Sequence, residues 1–258
     1  MVPVKRPART RLDTALVERG LVESRAKAQA LVLAGRVYSG ERRLDKPGQA
    51  VAADAPLELR GQEHPWVSRG GVKLAHALDR FGIDPAGLLC LDIGASTGGF
   101  TDVLLARGAA RVYAVDVGHG QLAWKLRQDP RVVVRERTNA RYLTAESVPE
   151  PVGLIVCDAS FIGLETLLPA PLALAADGAW LIALIKPQFE VGPARVGKGG
   201  VVRDAGLHDE VCRRIAAWLG ALPGWTVEGL VESPILGPEG NREFFIAARY
   251  RAEPHSAE

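Results

Sequence analysis

Long apolar runs and paired cysteines are both absent from this chain of 258 residues. No stretch reaches the roughly 18 apolar residues expected of a membrane span, and the basic start, MVPVKRPARTRLD, has no apolar segment behind it that would indicate a secretory signal. The three cysteines, Cys90, Cys157 and Cys212, lack the spacing of metal ligands. These absences predict a reduced, cytoplasmic protein with no membrane association and no metal site.

What is present is an ordinary globular composition with an uneven distribution of charge. Hydrophobic residues make up 47% of the chain and charged residues 24%. Residues 1–60 carry 12 Lys and Arg against 7 Asp and Glu, whereas the remainder carries 20 against 23. A basic front on a mildly acidic body indicates contact with a polyanion, although basic N-terminal segments also occur in proteins without such a partner.

The first sixty residues predict a small α+β domain. RLDTALVERG and RAKAQALVLAG have helical spacing and each ends at a glycine, and Ser24 is a candidate cap for the second helix. Three short strand-like pieces follow: RVYSG, QAVAAD and PLELR. We expect a disordered basic tail over residues 1–9, this small domain over 10–60 and a linker over 61–67.

Apolar strands and helices alternate through the rest of the chain. LLCLDIG, ARVYAVDV, RVVVRE, VGLIVCD and GAWLIALIK are typical of buried parallel strands, and VKLAHALDRFG of an amphipathic helix. Further helices are expected near Phe100, Gln121, Leu164 and Leu207, and a closing pair of strands in WTVEGLVESPI and NREFFIAARY. The alternation predicts an α/β, Rossmann-like fold with a doubly wound, mostly parallel sheet over residues 68–251, its ligand at the carboxyl ends of the strands, and a disordered tail over 252–258.

The phrase LDIGASTGGFTD joins a predicted strand to a predicted helix. Its glycines permit a tight turn and the close approach of the main chain to a nucleotide-like ligand. The spacing is neither GxGxxG nor that of a P-loop, and the pattern DxGxxxGGF favours S-adenosylmethionine, which has no phosphate to bind. The candidate contacts are Asp92, Gly94, Ala95, Ser96, Thr97, Gly98, Gly99 and Phe100.

Two later residues extend this cofactor hypothesis. Asp116 ends the next predicted strand, where its carboxylate could accept both ribose hydroxyls of the cofactor, or could be a solvated strand end. Asn139, in ERTNAR, follows the third strand, where methyltransferases often contact adenine. A helix N-cap is an equal alternative for Asn139.

Four charged residues lie in distinctive short phrases. Asp158 and Lys186 each end an apolar strand, and adjacent strands would place their opposite charges side by side. The alternative for that pair is a structural salt bridge. Lys73 and Glu243 lie outside the core strands, and periodicity alone does not distinguish them from solvated charges.

A family resemblance is carried by longer phrases. They include RLDTALVERGLVESRAKAQALVLAGRVYSG, VSRGGVKL, DIGASTGGFTD, CDASFI, KPQFEVG and SPILGPEGNREFF. From about Thr10 to Arg249 the chain resembles the TlyA, or hemolysin A-like, family of ribosomal RNA 2′-O-methyltransferases, which is related to the FtsJ-type enzymes. The first sixty residues resemble a small RNA-binding module named after a small-subunit ribosomal protein. The resemblance implies a catalytic tetrad of Lys73, Asp158, Lys186 and Glu243.

The resemblance also implies a substrate and a partner. Methyl transfer to the ribose 2′-hydroxyl of cytidine in ribosomal RNA or ribosomal subunits is expected, with no obligate protein partner evident. Basic residues of the front module and of the Gly-rich loop RVGKGGVVR would contact phosphates, and that loop is expected to be mobile and to close on the RNA. These residues are Arg11, Arg25, Lys27, Arg36, Arg42, Arg43, Lys198 and Arg203.

One departure and two alternatives accompany this interpretation. The phrase HPWV has His64 at a position where some relatives carry an arginine. This difference puts in doubt a coupling of RNA binding to cofactor binding through the linker, and it does not affect the tetrad. A membrane-active hemolysin is one alternative, and it would need a long apolar span or a basic amphipathic helix. The other is an RNA-binding protein of the same fold without catalytic activity.

Overall fold

The computed structural model of this chain describes residues 9–60, 64–237 and 240–252. The predictions made for residues 1–8, 61–63 and 253–258 concern most of the two tails and part of the linker, and they lie outside the described residues.

Residues 9–60 form a small unit around an apolar cluster of their own, which includes Leu12, Leu16 and Val32. β1 pairs antiparallel with β4, and β2 pairs antiparallel with β3 and with β5. Ser24 caps the second helix as predicted, because its hydroxyl accepts a hydrogen bond from the main-chain N of Lys27 at 3.2 Å. The elements are β1 (Arg9–Arg11), α1 (Leu12–Glu18), α2 (Arg25–Leu33), β2 (Val37–Ser39), β3 (Arg42–Arg43), β4 (Ala50–Ala52) and β5 (Glu58–Leu59).

Two of these strands differ from the sequence-based expectation. Arg9, assigned to the disordered tail, lies in β1 opposite Ala52. β3 consists of Arg42 and Arg43 alone, and it lies opposite Ser39 and Tyr38. Short strands made of charged residues carry no apolar alternation, so only their pairing with a neighbouring strand reveals them.

The larger part of the chain is built on a seven-stranded sheet. Its strands are β6 (Leu89–Ile93), β7 (Arg111–Val115), β8 (Val132–Arg135), β9 (Val152–Cys157), β10 (Ala175–Ile185), β11 (Trp225–Glu232) and β12 (Phe244–Tyr250), in the order β11-β12-β10-β9-β6-β7-β8. The five strands from β10 to β8 are parallel, and β12 is antiparallel to both of its neighbours. Because the strand order reverses between β6 and β9, the carboxyl ends of these two strands frame a crevice.

Helices cover both faces of this sheet. They are α3 (Gly70–Phe81), α4 (Gly99–Ala106), α5 (Trp124–Arg127), α6 (Leu164–Leu167), α7 (Pro169–Leu172), α8 (Pro187–Glu190) and α9 (Ala205–Gly220). Leu78 of α3 lies in one apolar cluster with Leu154 of β9, whereas Ile215 of α9 lies in a second cluster with Ile155. Successive residues of β9 are therefore buried on opposite faces, as expected of an inner parallel strand.

The helix boundaries show where local signals were incomplete. The helix expected near Gln121 begins at Trp124, and α3 begins at Gly70, two residues before the predicted phrase. Pro187, two residues after the end of β10, begins the short helix α8, where its missing N–H costs nothing. Across the described ranges of the chain, no helix combines the length and apolarity needed to cross a membrane.

Phe245 of β12 provides a test of this packing. Its side chain is 0% exposed, and its ring centroid lies 6.3 Å from that of Phe100 on α4. Replacement of Phe245 by Ala is expected to lower the free energy of unfolding by about 3–5 kcal/mol, because it removes a buried ring and leaves a cavity. Urea denaturation measures the change. Tyr142→Ala, at a side chain that is 70% exposed, is the control and should stay within about 0.5 kcal/mol. Equal stability of the two variants would contradict the packing.

Candidate active site

The glycine-rich turn between β6 and α4 passes close to two other elements. Gly94 has φ of 78°, and a Cβ atom there would lie 3.0 Å from the main chain of Asp158 and Ala159. At Gly99 a Cβ atom would lie 2.3 Å from the Ser68 hydroxyl. Side chains at these two positions would displace the end of β9 or the start of α3, so the turn depends on glycine at both.

Asp116 holds this turn from the next strand. Its Oδ2 accepts a hydrogen bond from the main-chain N of Ser96 at 2.8 Å, and its Oδ1 accepts one from the main-chain N of Gly118 at 2.6 Å. Each carboxylate oxygen keeps a further lone pair. Asp116 thus fixes the turn, and its predicted contact with cofactor hydroxyls stays a prediction.

Asp92 lies beneath the turn rather than beside it. The carboxyl group is fully buried; its Oδ2 accepts a hydrogen bond from the Thr101 hydroxyl at 2.6 Å, and its Oδ1 has no hydrogen-bond partner among the described residues. Burial raises the pKa of Asp92 to about 7, and the charges of Asp158 and Asp116 act in the same direction. The geometry therefore favours a brace between β6 and α4 over the predicted contact with the cofactor.

Lys186 and Asp158 meet at the carboxyl ends of adjacent parallel strands. Ala183 of β10 lies opposite Cys157 of β9, so the residues that follow these strands emerge at one edge of the sheet. The Nζ of Lys186 lies 2.6 Å from Asp158 Oδ1, out of line for a hydrogen bond, and donates to Ser160 Oγ at 2.9 Å and to the main-chain O of Asp158 at 3.3 Å. The predicted juxtaposition of these opposite charges is confirmed.

Lys73 and Glu243 form a second ion pair, across a longer stretch of chain. Lys73, on the first turns of α3, donates to Glu243 Oε2 at 2.5 Å. Glu243 immediately precedes β12 and is 0% exposed, and its Oε1 has no hydrogen-bond partner among the described residues. Gly237 covers this carboxylate so closely that a Cβ atom there would lie 2.1 Å from Oε1.

The two ion pairs and the glycine turn share a cleft of about 470 Å³. Lys73, Asp158 and Lys186 line it, whereas Glu243 lies behind its wall and acts through Lys73. The lining residues are Ser68, Arg69, Gly70, Lys73, Gly94, Ala95, Ser96, Thr97, Gly99, Phe100, Asp158, Ser160, Lys186, Leu236 and Gly237. The sequence-predicted tetrad is thus brought together around one opening.

Several residues of this cleft were not predicted. Ser160 contacts Lys186, and Arg69 donates to the main-chain O of Leu236 at 2.7 Å across the cleft wall. Phe161 follows Ser160 in the chain without lining the cleft; it is 89% exposed and has φ of 66°. The signal for Ser160 and Phe161 was available, since both lie within three residues of Asp158 in the phrase CDASF.

Four of the predicted cofactor contacts do not line the cleft: Asp92, Gly98, Asp116 and Asn139. Asn139 caps a short 3₁₀ turn (Ala140–Tyr142), because its Oδ1 accepts a hydrogen bond from the main-chain N of Arg141 at 3.1 Å. The capping alternative is therefore the one observed. Among the described residues, no group of three or more His, Cys, Asp or Glu is placed to hold a metal ion.

The basic residues of the front module differ in whether their side chains are already paired with a carboxylate. Arg11 and Arg25 both pair with the buried carboxylate of Asp13, at 2.9 and 3.0 Å. Lys27 and Arg36 line a groove of about 480 Å³ that also includes Arg69 and so adjoins the cleft. Arg42 and Arg43 are exposed on β3.

The Gly-rich loop that carries Lys198 and Arg203 is anchored at its base, and its predicted mobility and closure on RNA stay predictions. Both basic side chains are exposed, but Val201 and Val202 between them are buried. The main-chain N of Val202 donates to Asn241 Oδ1 at 3.0 Å. Two adjacent buried valines and this hydrogen bond hold the loop against the body of the protein.

Comparison with known proteins identifies the fold. A family model described as FtsJ-like methyltransferase matches residues 66–250, and an S4 domain model matches residues 10–55. The chain belongs to the FtsJ-like methyltransferase family. The predicted Rossmann-like methyltransferase fold with a small RNA-binding module in front is thereby confirmed.

Individual members of the FtsJ-like group match nearly the whole chain. The 16S/23S rRNA (cytidine-2′-O)-methyltransferase TlyA of Mycobacterium tuberculosis (strain ATCC 25618 / H37Rv) is 50% identical, over 95% of this chain and 91% of that protein. YqxC of Bacillus subtilis (strain 168) is 49% identical, over 94% and 86%. A solved structure from Streptococcus thermophilus, 41% identical, covers 97% of this chain and 91% of that one with a TM-score of 0.73.

The buried Asp92 predicts a pH dependence of stability. Its pKa is about 7 in the folded protein, against an ordinary value of 3.8, so the folded state retains a proton that the unfolded chain loses above pH 4. Between about pH 4 and 7 this residue should therefore lower the free energy of unfolding as the pH rises, by roughly 2–4 kcal/mol in total, and should add no further slope above pH 7.

The measurement is urea unfolding at several pH values for wild type and Asp92→Asn. The stability of Asp92→Asn relative to wild type should rise from pH 4 to 7 and then level off. Asp54→Asn, at an exposed carboxylate, is the matched control and should track wild type. Parallel curves for wild type and Asp92→Asn would contradict the burial of a protonated carboxyl group.

Proposed function

We propose that this FtsJ-like methyltransferase transfers a methyl group from S-adenosylmethionine to the ribose 2′-hydroxyl of cytidine in ribosomal RNA, free or within a subunit, in the cytoplasm. The observation that carries the proposal is the convergence of two lysine–carboxylate pairs on one cleft beside the glycine turn. The TlyA relative, which is named for this activity and is 50% identical over most of its length, supports the choice of substrate.

The cleft has room for a small-molecule cofactor. Its volume of about 470 Å³ lies in the range of small-molecule sites. Gly94 and Gly99 leave no room for side chains and bring the main chain to the cleft, and Asp116 fixes the turn. The residues placed to hold the cofactor are Gly94, Ala95, Ser96, Thr97, Gly99 and Phe100. When bound, S-adenosylmethionine supplies an electrophilic methyl group on a sulfonium sulfur.

Lys186 is the residue proposed to act on the ribose hydroxyl. The reaction forms an O–C bond, breaks an S–C bond and releases the hydroxyl proton. As a neutral amine, Lys186 Nζ receives that proton as a base; as an ammonium group it orients the oxygen as a hydrogen-bond donor, and the proton leaves to water. Three oxygens, from the Asp158 side chain and main chain and from Ser160, surround Nζ and hold it in place, and the Asp158 carboxylate balances its charge.

Lys73 is proposed to position the ribose from the opposite wall. Its ammonium group lines the cleft and is held at 2.5 Å by Glu243, which is out of reach of the substrate. Glu243 therefore positions Lys73 rather than the substrate itself. Because methyl transfer needs mainly alignment and exclusion of water, a held Lys73 beside Lys186 in the same cleft serves to align the acceptor oxygen.

Phe161 is proposed to hold the base of the target nucleotide. Exposed aromatic rings in RNA-binding proteins stack on bases. Phe161 has a left-handed backbone conformation, which is unfavourable for a bulky residue, and its ring packs on Phe189 with 5.0 Å between centroids. The exposed ring thus directly follows Ser160, which lines the cleft, so a nucleotide splayed out of its helix toward the cleft would pass close to it.

The central test is Lys186→Ala. Labelled methyl incorporation into ribosomes from cells lacking the gene should fall by roughly 10²- to 10⁴-fold, while S-adenosylmethionine affinity by calorimetry stays close to wild type. Lys125→Ala is the matched control: Lys125 pairs with Asp102, is largely exposed and does not line the cleft. An active Lys186→Ala enzyme would refute the role of Lys186.

The same assay decides between the proposed function and the inactive RNA-binding alternative. Wild-type protein should label the ribosomes, and mapping of the modified nucleotide should find a 2′-O-methylcytidine. Binding of ribosomal RNA without any methyl incorporation would instead favour the RNA-binding alternative.

Phe161 gives an independent test of base stacking. Phe161→Ala should lower kcat/KM for ribosomal RNA by roughly 5- to 100-fold, the equivalent of one lost base–aromatic stack. Phe161→Trp should retain most activity, because it preserves an aromatic face. Cofactor affinity should not change in either variant. Full activity of Phe161→Ala would remove this residue from the proposed site.

A further inference from the structure

A buried asparagine, Asn241, joins the Gly-rich loop to the segment that leads into β12. Residues 197–203, named here the basic loop, contain Lys198 and Arg203. Asn241 is 3% exposed; its Oδ1 accepts a hydrogen bond from the main-chain N of Val202 at 3.0 Å, and its Nδ2 donates to the main-chain O of Gly200 at 3.0 Å. One side chain thus satisfies two main-chain groups of a loop about 40 residues away in sequence.

A second contact fixes the base of the basic loop. The ring Nε2 of His208, on α9, donates to the main-chain O of Val202 at 2.9 Å. Within the loop, the main-chain N of Gly197 donates to the O of Val201 at 3.2 Å. The base of the loop is therefore held from two sides, whereas Lys198 at its tip is exposed.

The main chain of Asn241 reaches the cleft. Its carbonyl O accepts a hydrogen bond from the main-chain N of Gly237 at 2.8 Å, and Gly237 lines the cleft and covers the Glu243 carboxylate. Glu243 follows Asn241 by two residues and holds Lys73 at 2.5 Å. A chain of contacts thus runs from the basic loop through Asn241 to the Lys73–Glu243 pair.

We propose that Asn241 is a positioning residue that links docking of the basic loop on RNA phosphates to the placement of Lys73 in the cleft. The proposal rests on the proposed function, since it assigns the docking partner as RNA. Lys198 and Arg203 bind the phosphate backbone near the target nucleotide. Asn241 transmits the position of the loop to Glu243, so that Lys73 is correctly aligned when the RNA is in place.

The proposal predicts different kinetic effects for a residue that only binds RNA and for Asn241: the first changes KM and the second changes kcat. Lys198→Ala removes a phosphate contact alone and should raise KM for ribosomal RNA with little change in kcat. Asn241→Ala removes both side-chain hydrogen bonds to the loop and keeps the main-chain bond to Gly237, so any effect on the cleft is transmitted by displacement of residue 241; it should lower kcat by roughly tenfold or more, because small displacements of positioning groups are costly. Cofactor affinity should stay within about twofold of wild type, since the glycine turn lies on other elements.

Limited trypsin digestion reports on the loop without any need for catalysis. The bonds after Lys198 and Arg203 should be protected in wild type and cleaved about tenfold faster or more in Asn241→Ala. Arg242→Ala is the matched control. Arg242 is next to Asn241 in the chain, its side chain is exposed, and among the described carboxylates it pairs only with Glu232. It should leave kcat and the cleavage rates after Lys198 and Arg203 unchanged, the loss of the trypsin site at residue 242 itself apart.

Asn241→Asp serves if the alanine variant does not fold. The aspartate keeps an acceptor for the N–H of Val202 and loses the donor to Gly200, so faster cleavage and a smaller fall in kcat are expected. Wild-type digestion rates and kcat in both variants would overturn the proposal, and so would a kcat loss matched by an equal loss of cofactor affinity. Absence of methyl transfer by wild type would overturn the proposed function and this inference together, whereas the digestion result bears on the inference alone.

Discussion

The buried ion pair between Lys73 and Glu243 is the constraint on which the site depends. Burial of two charges is costly and is offset only when their geometry is close to ideal. Here the ammonium group and the carboxylate are 2.5 Å apart, and they join α3 to the start of β12. Removal of Lys73 would leave an uncompensated carboxylate behind the cleft wall, and removal of Glu243 would leave an uncompensated ammonium group in the cleft. The position of α3 against the antiparallel edge of the sheet is thereby fixed, and with it the width of the cleft.

The two lysines of the cleft are held by different kinds of structure. Lys186 meets Asp158 because β9 and β10 are parallel neighbours in register, so the contact follows from the sheet itself. Lys73 contacts Glu243 only when α3 packs against the segment that leads into β12. A rigid group on the sheet and a second group on its covering helix together define one acceptor position between them, which suits a reaction governed by alignment.

Sequence patterns gave the fold class and the Lys186–Asp158 contact because strand periodicity and strand ends are local signals. Lys73 and Glu243 required the family resemblance, since a buried ion pair and two solvated charges have the same sequence pattern. The phrase DxGxxxGGF marks Asp92 as a candidate cofactor contact, but its burial beneath α4 depends on packing that no local pattern shows. The glycines of the basic loop likewise indicate mobility, whereas the burial of Val201 and Val202 depends on contacts with distant parts of the chain.

The position of β12 in the sheet has a consequence for the order in which the protein matures on the ribosome. This strand is the last of those that the structure describes, yet it inserts between β10 and β11. Lys73 is synthesised 170 residues ahead of Glu243, a delay of roughly 10 to 30 s at ordinary elongation rates. A nascent chain therefore carries its glycine turn and Lys73 long before the partner carboxylate of Lys73 exists, and the buried ion pair closes only when β12 joins the sheet.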